Sequence, residues 1–81
     1  MSNLEKLKTL LIDVFLIDPS EWHMNLKREE IDSWDSLGVV SLEVGIKETF
    51  KTQLTPQEAG SLKTVQDIVT MLSSKGIDFS S

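Results

Sequence analysis

The first third of the chain shows apolar residues at the spacing of a helix. Ser2 stands three residues before Glu5, the arrangement of a capping box, in which each side chain bonds the other residue's backbone N–H. Pro19 prevents this helix from continuing, because a proline disfavours helical geometry at the residue before it. The pattern predicts a first helix that buries one apolar stripe, made of Leu4, Leu7, Leu11, Val14 and Phe15.

A second periodic segment runs from Ser36 to Phe50, with Asp35 as a suitable N-cap residue. It carries two apolar stripes on nearly opposite faces. The first consists of Val39, Leu42, Ile46 and Phe50, and the second of Leu37, Val40 and Val44. One stripe is enough to pack a helix onto a bundle, so the other must be enclosed within the domain or presented to a partner. We expect the second stripe to be partly exposed.

Two further helices are predicted in the remaining residues. Thr55-Pro56-Gln57-Glu58 is another capping box with proline at the first helical position, and Gly60 limits this helix to about a turn and a half. Thr64 opens a last helix, which ends near Lys75-Gly76. No segment alternates with the period of a strand. The fold class predicted is therefore all-α: a small four-helix bundle with three main helices and one short one.

The apolar residues in 18–35 follow no sustained period, which predicts a long loop between the first two helices. Loops of this length are uncommon in compact domains and are often functional. Isolated apolar residues should hold the loop to the core, namely Trp22, Met24, Leu26, Ile31 and Trp34. For Trp34 two interpretations remain open: it is a plain core residue, or it supports the approach to the second helix.

Composition and charge narrow the range of functions that the chain could have. The 81 residues, with no cysteine and a net charge of −5, predict a single domain over residues 1–81. The 18–35 loop holds six acidic and two basic residues and so carries −4 of that charge. An acidic chain is a poor nucleic-acid binder. Without an apolar run of membrane-spanning length or a signal-peptide pattern, we expect a cytoplasmic protein, a monomer, with no membrane span.

Catalytic chemistry is weakly supported. His23 is the only histidine, and there is no thiol to pair with it. The paired acids Glu29-Glu30 and Asp32 with Asp35 could serve an acid-catalytic or metal-dependent enzyme, but they lie in a loop without an apolar pocket to separate their pKa values. We therefore predict no enzyme activity and no metal site. An enzyme built on these carboxylates remains the alternative.

Ser36 offers a different chemistry. A serine in the first helical turn is commonly a capping residue, but here Asp35 already fills that role. The Ser36 hydroxyl would then be free at the positive end of the helix. A phosphate attached there would be stabilised by about 0.3–1 kcal/mol.

The run Trp34-Asp35-Ser36-Leu37-Gly38 resembles the Asp-Ser-Leu signature of acyl carrier and peptidyl carrier proteins. The similarity continues through the second helix, the long acidic loop, the short third helix and the opening of the last helix, so it covers the whole chain. Matching residues of the second helix and of the last one are Val40, Leu42, Ile46, Glu48 and Phe50, then Thr64-Val65-Gln66-Asp67-Ile68.

The resemblance implies a function. A phosphopantetheinyl transferase would move 4′-phosphopantetheine from coenzyme A onto Ser36, and the arm's thiol would hold an acyl or aminoacyl group as a thioester. Asp35 and Leu37 would be recognised by the transferase. Enzymes that load and transfer acyl or aminoacyl groups would be further partners. They would dock on the second helix at Val40, Ser41, Val44, Lys47 and Glu48.

Departures from the fatty-acid pattern favour a specialised pathway, such as polyketide, nonribosomal peptide or unusual acyl-transfer biosynthesis. Fatty-acid carriers commonly have Leu-Gly-Ala where this chain has Asp32-Ser33-Trp34, and acids where it has Gly38, Ser41 and Lys47. A carrier for fatty-acid synthesis is the first alternative. A helical protein-interaction domain without a prosthetic group, binding its partner through the second apolar stripe, is the alternative from another class.

Overall fold

The computed structural model describes residues 2–79 and contains four α-helices in that range. These are α1 (Asn3–Phe15), α2 (Ser36–Phe50), α3 (Pro56–Ser61) and α4 (Val65–Ser74). The predicted helical fold, with three main helices and a short one, is confirmed. None of the helices in residues 2–79 is long and apolar enough to cross a membrane.

The first helix begins at the predicted N-cap residue, with one of the two bonds of the predicted capping box, and ends earlier than the proline requires. The Ser2 hydroxyl accepts the N–H of Glu5 at 3.2 Å and so caps the start of α1. The helix ends at Phe15, because Leu16 adopts a left-handed conformation with φ of 54°. Leu16 is also 84% exposed, and the helix therefore ends before Pro19 could interrupt it.

The core forms where α1, α2 and α4 meet. The predicted stripes of α1 and α2 and one face of α4 supply it, and the following residues are completely buried: Leu7 and Leu11 from α1, Leu42 and Ile46 from α2, and Ile68 and Leu72 from α4. Leu4 and Val14, two further members of the α1 stripe, are only half-buried and pack against this cluster. Each fully buried leucine or isoleucine contributes about 1.5–3 kcal/mol of transfer free energy.

The 18–35 loop is more ordered than its sequence suggested. It contains two short 3₁₀ turns, Pro19–Glu21 and Arg28–Glu30. Leu26 and Trp34 are buried, which confirms their predicted role in holding the loop, while Trp22, Met24 and Ile31 are half-buried against the core.

Backbone pairing also ties this loop to the segment before α4, which the sequence analysis did not predict. The Arg28 N–H donates to the Lys63 carbonyl at 2.7 Å, and the Val65 N–H donates to the Leu26 carbonyl at 3.0 Å. Between these bonds Lys27 and Thr64 form an isolated antiparallel bridge. The middle of the loop is therefore held by hydrogen bonds as well as by buried side chains.

The capping box of α3 is present in full. The Thr55 hydroxyl accepts the Glu58 N–H at 3.1 Å, and Glu58 Oε1 accepts the Thr55 N–H at 2.9 Å. The Glu58 carboxylate also lies 3.0 Å from Lys75 Nζ, which joins α3 to the end of α4. The bond from the Thr55 N–H, and then Lys75, lower the pKa of Glu58. Gly60 lies inside α3, whose six residues agree with the predicted length of about a turn and a half.

Candidate functional site

Asp35 caps α2 and leaves the next side chain free. Asp35 Oδ1 accepts the N–H of Gly38 at 2.9 Å, and the Asp35 carbonyl accepts the N–H of Val39 at 2.9 Å. Ser36 is the first residue of the helix and is exposed. No group in residues 2–79 forms a hydrogen bond with its hydroxyl. The side chain is thus accessible to a modifying enzyme and unoccupied by a capping role.

The backbone around Ser36 suits an anion. The N–H groups of Ser36 and Leu37 precede the first bonded N–H groups of α2, and neither has a partner among the described residues. Together with the helix dipole they create a positive end at which a phosphate is stabilised. A phosphodiester on the Ser36 oxygen would therefore find a favourable field without any change in the fold.

The segment before Ser36 is anchored to the end of α1. The Trp34 ring stacks on the Phe15 ring with centroids 4.9 Å apart and an interplanar angle of 16°, and Trp34 is only 2% exposed. The Ser33 hydroxyl donates to the Phe15 carbonyl at 2.7 Å, and Arg28 Nε donates to the Trp34 carbonyl at 2.9 Å. Trp34 is therefore both a core residue and the support beneath the start of α2, which joins the two interpretations left open.

Gly38 has a structural role that the sequence analysis missed. It is buried, and a Cβ atom at this position would collide with the carbonyl oxygen of Ser33 and approach the Phe15 ring to 3.1 Å. The missing side chain lets the first turn of α2 lie directly against the loop that precedes it. The sequence analysis used Gly38 only in the comparison with carrier proteins, since its close approach to Ser33 and Phe15 depends on how the loop folds back against the start of α2.

The side of α2 that faces solvent carries the second apolar stripe. Leu37 is 78% exposed, Val40 56% and Val44 52%, so the prediction of partial exposure is confirmed. Three polar residues on the same helix are also exposed, namely Ser41, Lys47 and Glu48. We refer to these six residues as the α2 outer face. It combines an apolar strip with one positive and one negative charge.

The described residues offer little for catalysis by the chain itself. His23 is exposed in the loop. No group of three or more histidine, cysteine, aspartate or glutamate residues within residues 2–79 is arranged to hold a metal ion. In the loop, hydrogen bonds from the backbone N–H and the hydroxyl of Ser20 lower the pKa of Asp18. That arrangement caps a 3₁₀ turn and has no catalytic geometry.

Comparison with known proteins gives a consistent result. No family model matches the chain. The acyl carrier protein of Thermosynechococcus vestitus is 33% identical over 72 residues, which cover 89% of each chain. That of Bdellovibrio bacteriovorus is 30% identical over 71 residues, covering 88% of this chain and 91% of the relative. That of Helicobacter hepaticus is 29% identical over 72 residues, covering 89% and 95%.

The fold and the site agree with these relatives. Acyl carrier proteins are carriers rather than enzymes, and they hold a covalently attached 4′-phosphopantetheine that is added by a transferase and used by acyl-handling enzymes. An exposed serine hydroxyl without a hydrogen-bond partner, at the positive end of a capped helix, fits the attachment of that group. The chain belongs to the acyl carrier protein family and has a carrier role.

Proposed function

We propose that Ser36 carries the 4′-phosphopantetheine arm and that the chain presents acyl intermediates on it as thioesters. The observation that carries this proposal is the exposed Ser36 hydroxyl, which no described residue binds, directly after an aspartate already engaged as the N-cap. When bound, the arm supplies a thiol that the cysteine-free chain lacks. The chain contributes the anchor oxygen and the positive helix end around the phosphate.

Asp35 and Leu37 are the residues we assign to recognition by the transferase. Asp35 uses Oδ1 for the N-cap bond, so Oδ2 can face the transferase and its metal ion. Leu37 is 78% exposed and adjacent to Ser36, where an apolar contact would orient the hydroxyl for attack on coenzyme A. Both contacts lie within one residue of the reacting oxygen, so they act on its position directly.

Partner enzymes dock, in this proposal, on the α2 outer face. Val40 and Val44 provide the apolar contact, Ser41 a hydrogen-bonding group, and Lys47 and Glu48 opposite charges at the edge. The tethered arm makes each encounter effectively intramolecular, so weak docking is sufficient. A monomer that acts in the cytoplasm as a single domain leaves this face and Ser36 open to successive partners.

The composition of the α2 outer face favours a specialised biosynthetic pathway over fatty-acid synthesis. Its two charges cancel, and it includes the exposed apolar side chains of Leu37, Val40 and Val44. Docking should therefore depend mainly on apolar burial and only weakly on ionic strength. Salt screens the attraction between opposite charges but does not weaken apolar contacts. A carrier whose partners recognise rows of acids would show the opposite salt dependence.

Intact-mass measurement tests the attachment. The chain is incubated with a promiscuous phosphopantetheinyl transferase and coenzyme A, and we expect its mass to rise by one phosphopantetheine group. Ser36→Ala should abolish the addition. Ser73→Ala, which removes another exposed serine at α4, should leave it intact. An unchanged wild-type mass under conditions that modify a known carrier would contradict the proposal and favour an interaction domain without a prosthetic group.

A second measurement tests the docking and pathway assignments. Mass spectrometry of the protein from its native host identifies the cargo, and a straight-chain fatty acyl series there would assign the chain to fatty-acid synthesis instead.

Transferase kcat/KM for Val44→Ser reports on the outer face, with Thr70→Ser as the control for an exposed residue at another helix. We expect a loss of about tenfold for the former and none for the latter, since one buried methyl-rich contact is worth about 1–2 kcal/mol.

A further inference from the structure

A second feature of the surface lies apart from the α2 outer face. A pocket of about 570 Å³ opens between the 18–35 loop and the segment that precedes α4. Its walls include the apolar side chains of Ile31 and Trp34 and one acid, Glu29. Three basic residues also line it, Lys27, Arg28 and Lys63. The chain has only eight lysines and arginines against thirteen acids, so three of its eight positive charges surround one pocket.

Backbone pairing holds these like charges together. The Arg28 N–H donates to the Lys63 carbonyl at 2.7 Å, and Lys27 is bridged to the residue after Lys63. None of these three basic side chains forms an ion pair within residues 2–79. The ion pair found in that range joins Lys75 and Glu58. Like charges on paired backbone segments destabilise each other, and a bound anion would remove that repulsion.

One of the residues that line the pocket, Trp34, also carries an unpaired donor. Trp34 Nε1–H is buried and has no acceptor among the described residues. Buried polar groups in native proteins almost always have a partner, so an exception of this kind calls for an explanation. Arg28 uses its Nε for the Trp34 carbonyl, which places its guanidinium against this wall and leaves its remaining N–H groups available.

We propose that this pocket binds the terminal carboxylate of a dicarboxylic acyl group carried by the chain, an inference that rests on the arm at Ser36. Carboxylate oxygens match the planar N–H fork of arginine and accept from lysine. The walls formed by Ile31 and Trp34 suit a short methylene chain, and the volume is in the range of small-molecule sites.

The position of the pocket allows a tethered cargo to reach it. Trp34 precedes Ser36 by two residues, so their Cα atoms are at most about 7 Å apart. Lys27 and Lys63 are exposed, and charge contacts at such positions are weak individually. A tethered carboxylate nevertheless has an effective concentration in the millimolar range, so a site of millimolar affinity would be substantially filled.

NMR spectroscopy of the ¹⁵N-labelled protein provides the test. The chain is loaded by the transferase from glutaryl coenzyme A or from pentanoyl coenzyme A, whose acyl chains have the same length and differ in the terminal carboxylate. We expect the Trp34 indole N–H signal and the Arg28 amide signal to shift with the glutaryl arm and to stay unchanged with the pentanoyl arm, both relative to the arm with a free thiol. The shift should disappear in the Lys27→Gln/Lys63→Gln double variant.

Matched controls separate the pocket from general effects of charge. Lys6→Gln/Lys51→Gln removes two exposed lysines elsewhere and should preserve the glutaryl-dependent shift. All four lysines are exposed, so both double variants should fold. Equal shifts with the glutaryl and pentanoyl arms would overturn the proposal, because they would show burial of the apolar chain alone. So would the absence of any shift with a confirmed glutaryl arm.

A final experiment distinguishes failure of this proposal from failure of the attachment at Ser36. Free S-glutaryl-pantetheine is titrated into the unmodified chain, with inorganic phosphate as the competing anion. Saturable shifts of the Trp34 indole signal with the free thioester would support the carboxylate pocket. If the transferase reaction then left the mass of the chain unchanged, the attachment at Ser36 alone would be contradicted. Equal saturation by phosphate at the same concentration would overturn the assignment to a carboxylate.

Discussion

The close approach at Gly38 leads to a prediction in which two physical effects oppose each other. Replacing glycine by alanine inside a helix normally stabilises it by about 1 kcal/mol, because glycine loses more backbone entropy on folding. In this structure the added Cβ would collide with the Ser33 carbonyl oxygen. That carbonyl cannot move away cheaply, because the Ser33 hydroxyl is bonded to the Phe15 carbonyl and the next residue, Trp34, stacks on Phe15.

The magnitude follows from the comparison of these two effects. Overpacking in a well-packed interior costs about 1–3 kcal/mol, and the restrained backbone places Gly38→Ala in the upper part of that range. After subtraction of the helix-propensity gain, we expect Gly38→Ala to lower the free energy of unfolding by about 1–2 kcal/mol. A domain of this size should then lose about 4–8 °C in Tm for each kcal/mol.

Urea denaturation and thermal unfolding followed by circular dichroism provide the measurement. Gly60→Ala is the matched control, since nothing lies within 4 Å of the added Cβ in α3. That variant should be more stable than wild type by about 0.4–1 kcal/mol. The same substitution is therefore expected to have opposite signs at the two positions. If Gly38→Ala were as stable as wild type or more so, the argument for a tightly packed junction beneath Ser36 would be refuted.

Three further predictions address the cap, an ion pair and the two faces of α2. Asp35→Ala should lower the unfolding free energy by about 1 kcal/mol, and Asp35→Asn, which keeps a cap acceptor for Gly38, by much less; equal losses in urea titrations would contradict the capping role. Glu58→Gln should be less stable than wild type at pH 7, and this difference should vanish as the pH falls below about 4.5, because the folded state lowers the pKa of Glu58 and its contribution is lost on protonation; a pH-independent difference would exclude this linkage. Val39→Ala should cost about 1–2 kcal/mol in unfolding free energy, whereas Val40→Ala, at a side chain 56% exposed, should cost much less; similar losses would show that the outer face is packed.

The elements that the sequence predicted correctly depend on residues close together in the chain. Asp35 is recognisable as an N-cap because its acceptor bonds an N–H three residues later, and the same holds for Thr55 with Glu58. The exposure of Val40 could be predicted because a helix imposes a fixed angle between successive residues, and the opposite stripe was already sufficient to form the core.

The features that the sequence did not predict join residues that are far apart. Leu16 turns out of α1 with a positive φ although no glycine marks the position. The loop pairs with the segment before α4, and this pairing assembles the basic pocket from Arg28 and Lys63, which are thirty-five positions apart. A cluster of this kind leaves no local pattern, because its members are brought together only when the helices pack.

Local order and the choice of Ser36 as the proposed attachment site thus came from the amino acids alone, since helix caps, helical periodicity and the Asp-Ser-Leu tripeptide are short-range properties. Tertiary structure decided how that hydroxyl is supported. The stack of Trp34 on Phe15, the contact of Gly38 with the Ser33 carbonyl and the unpaired indole N–H all depend on packing between segments. Their energies arise from close contact in three dimensions, which no spacing along one segment encodes.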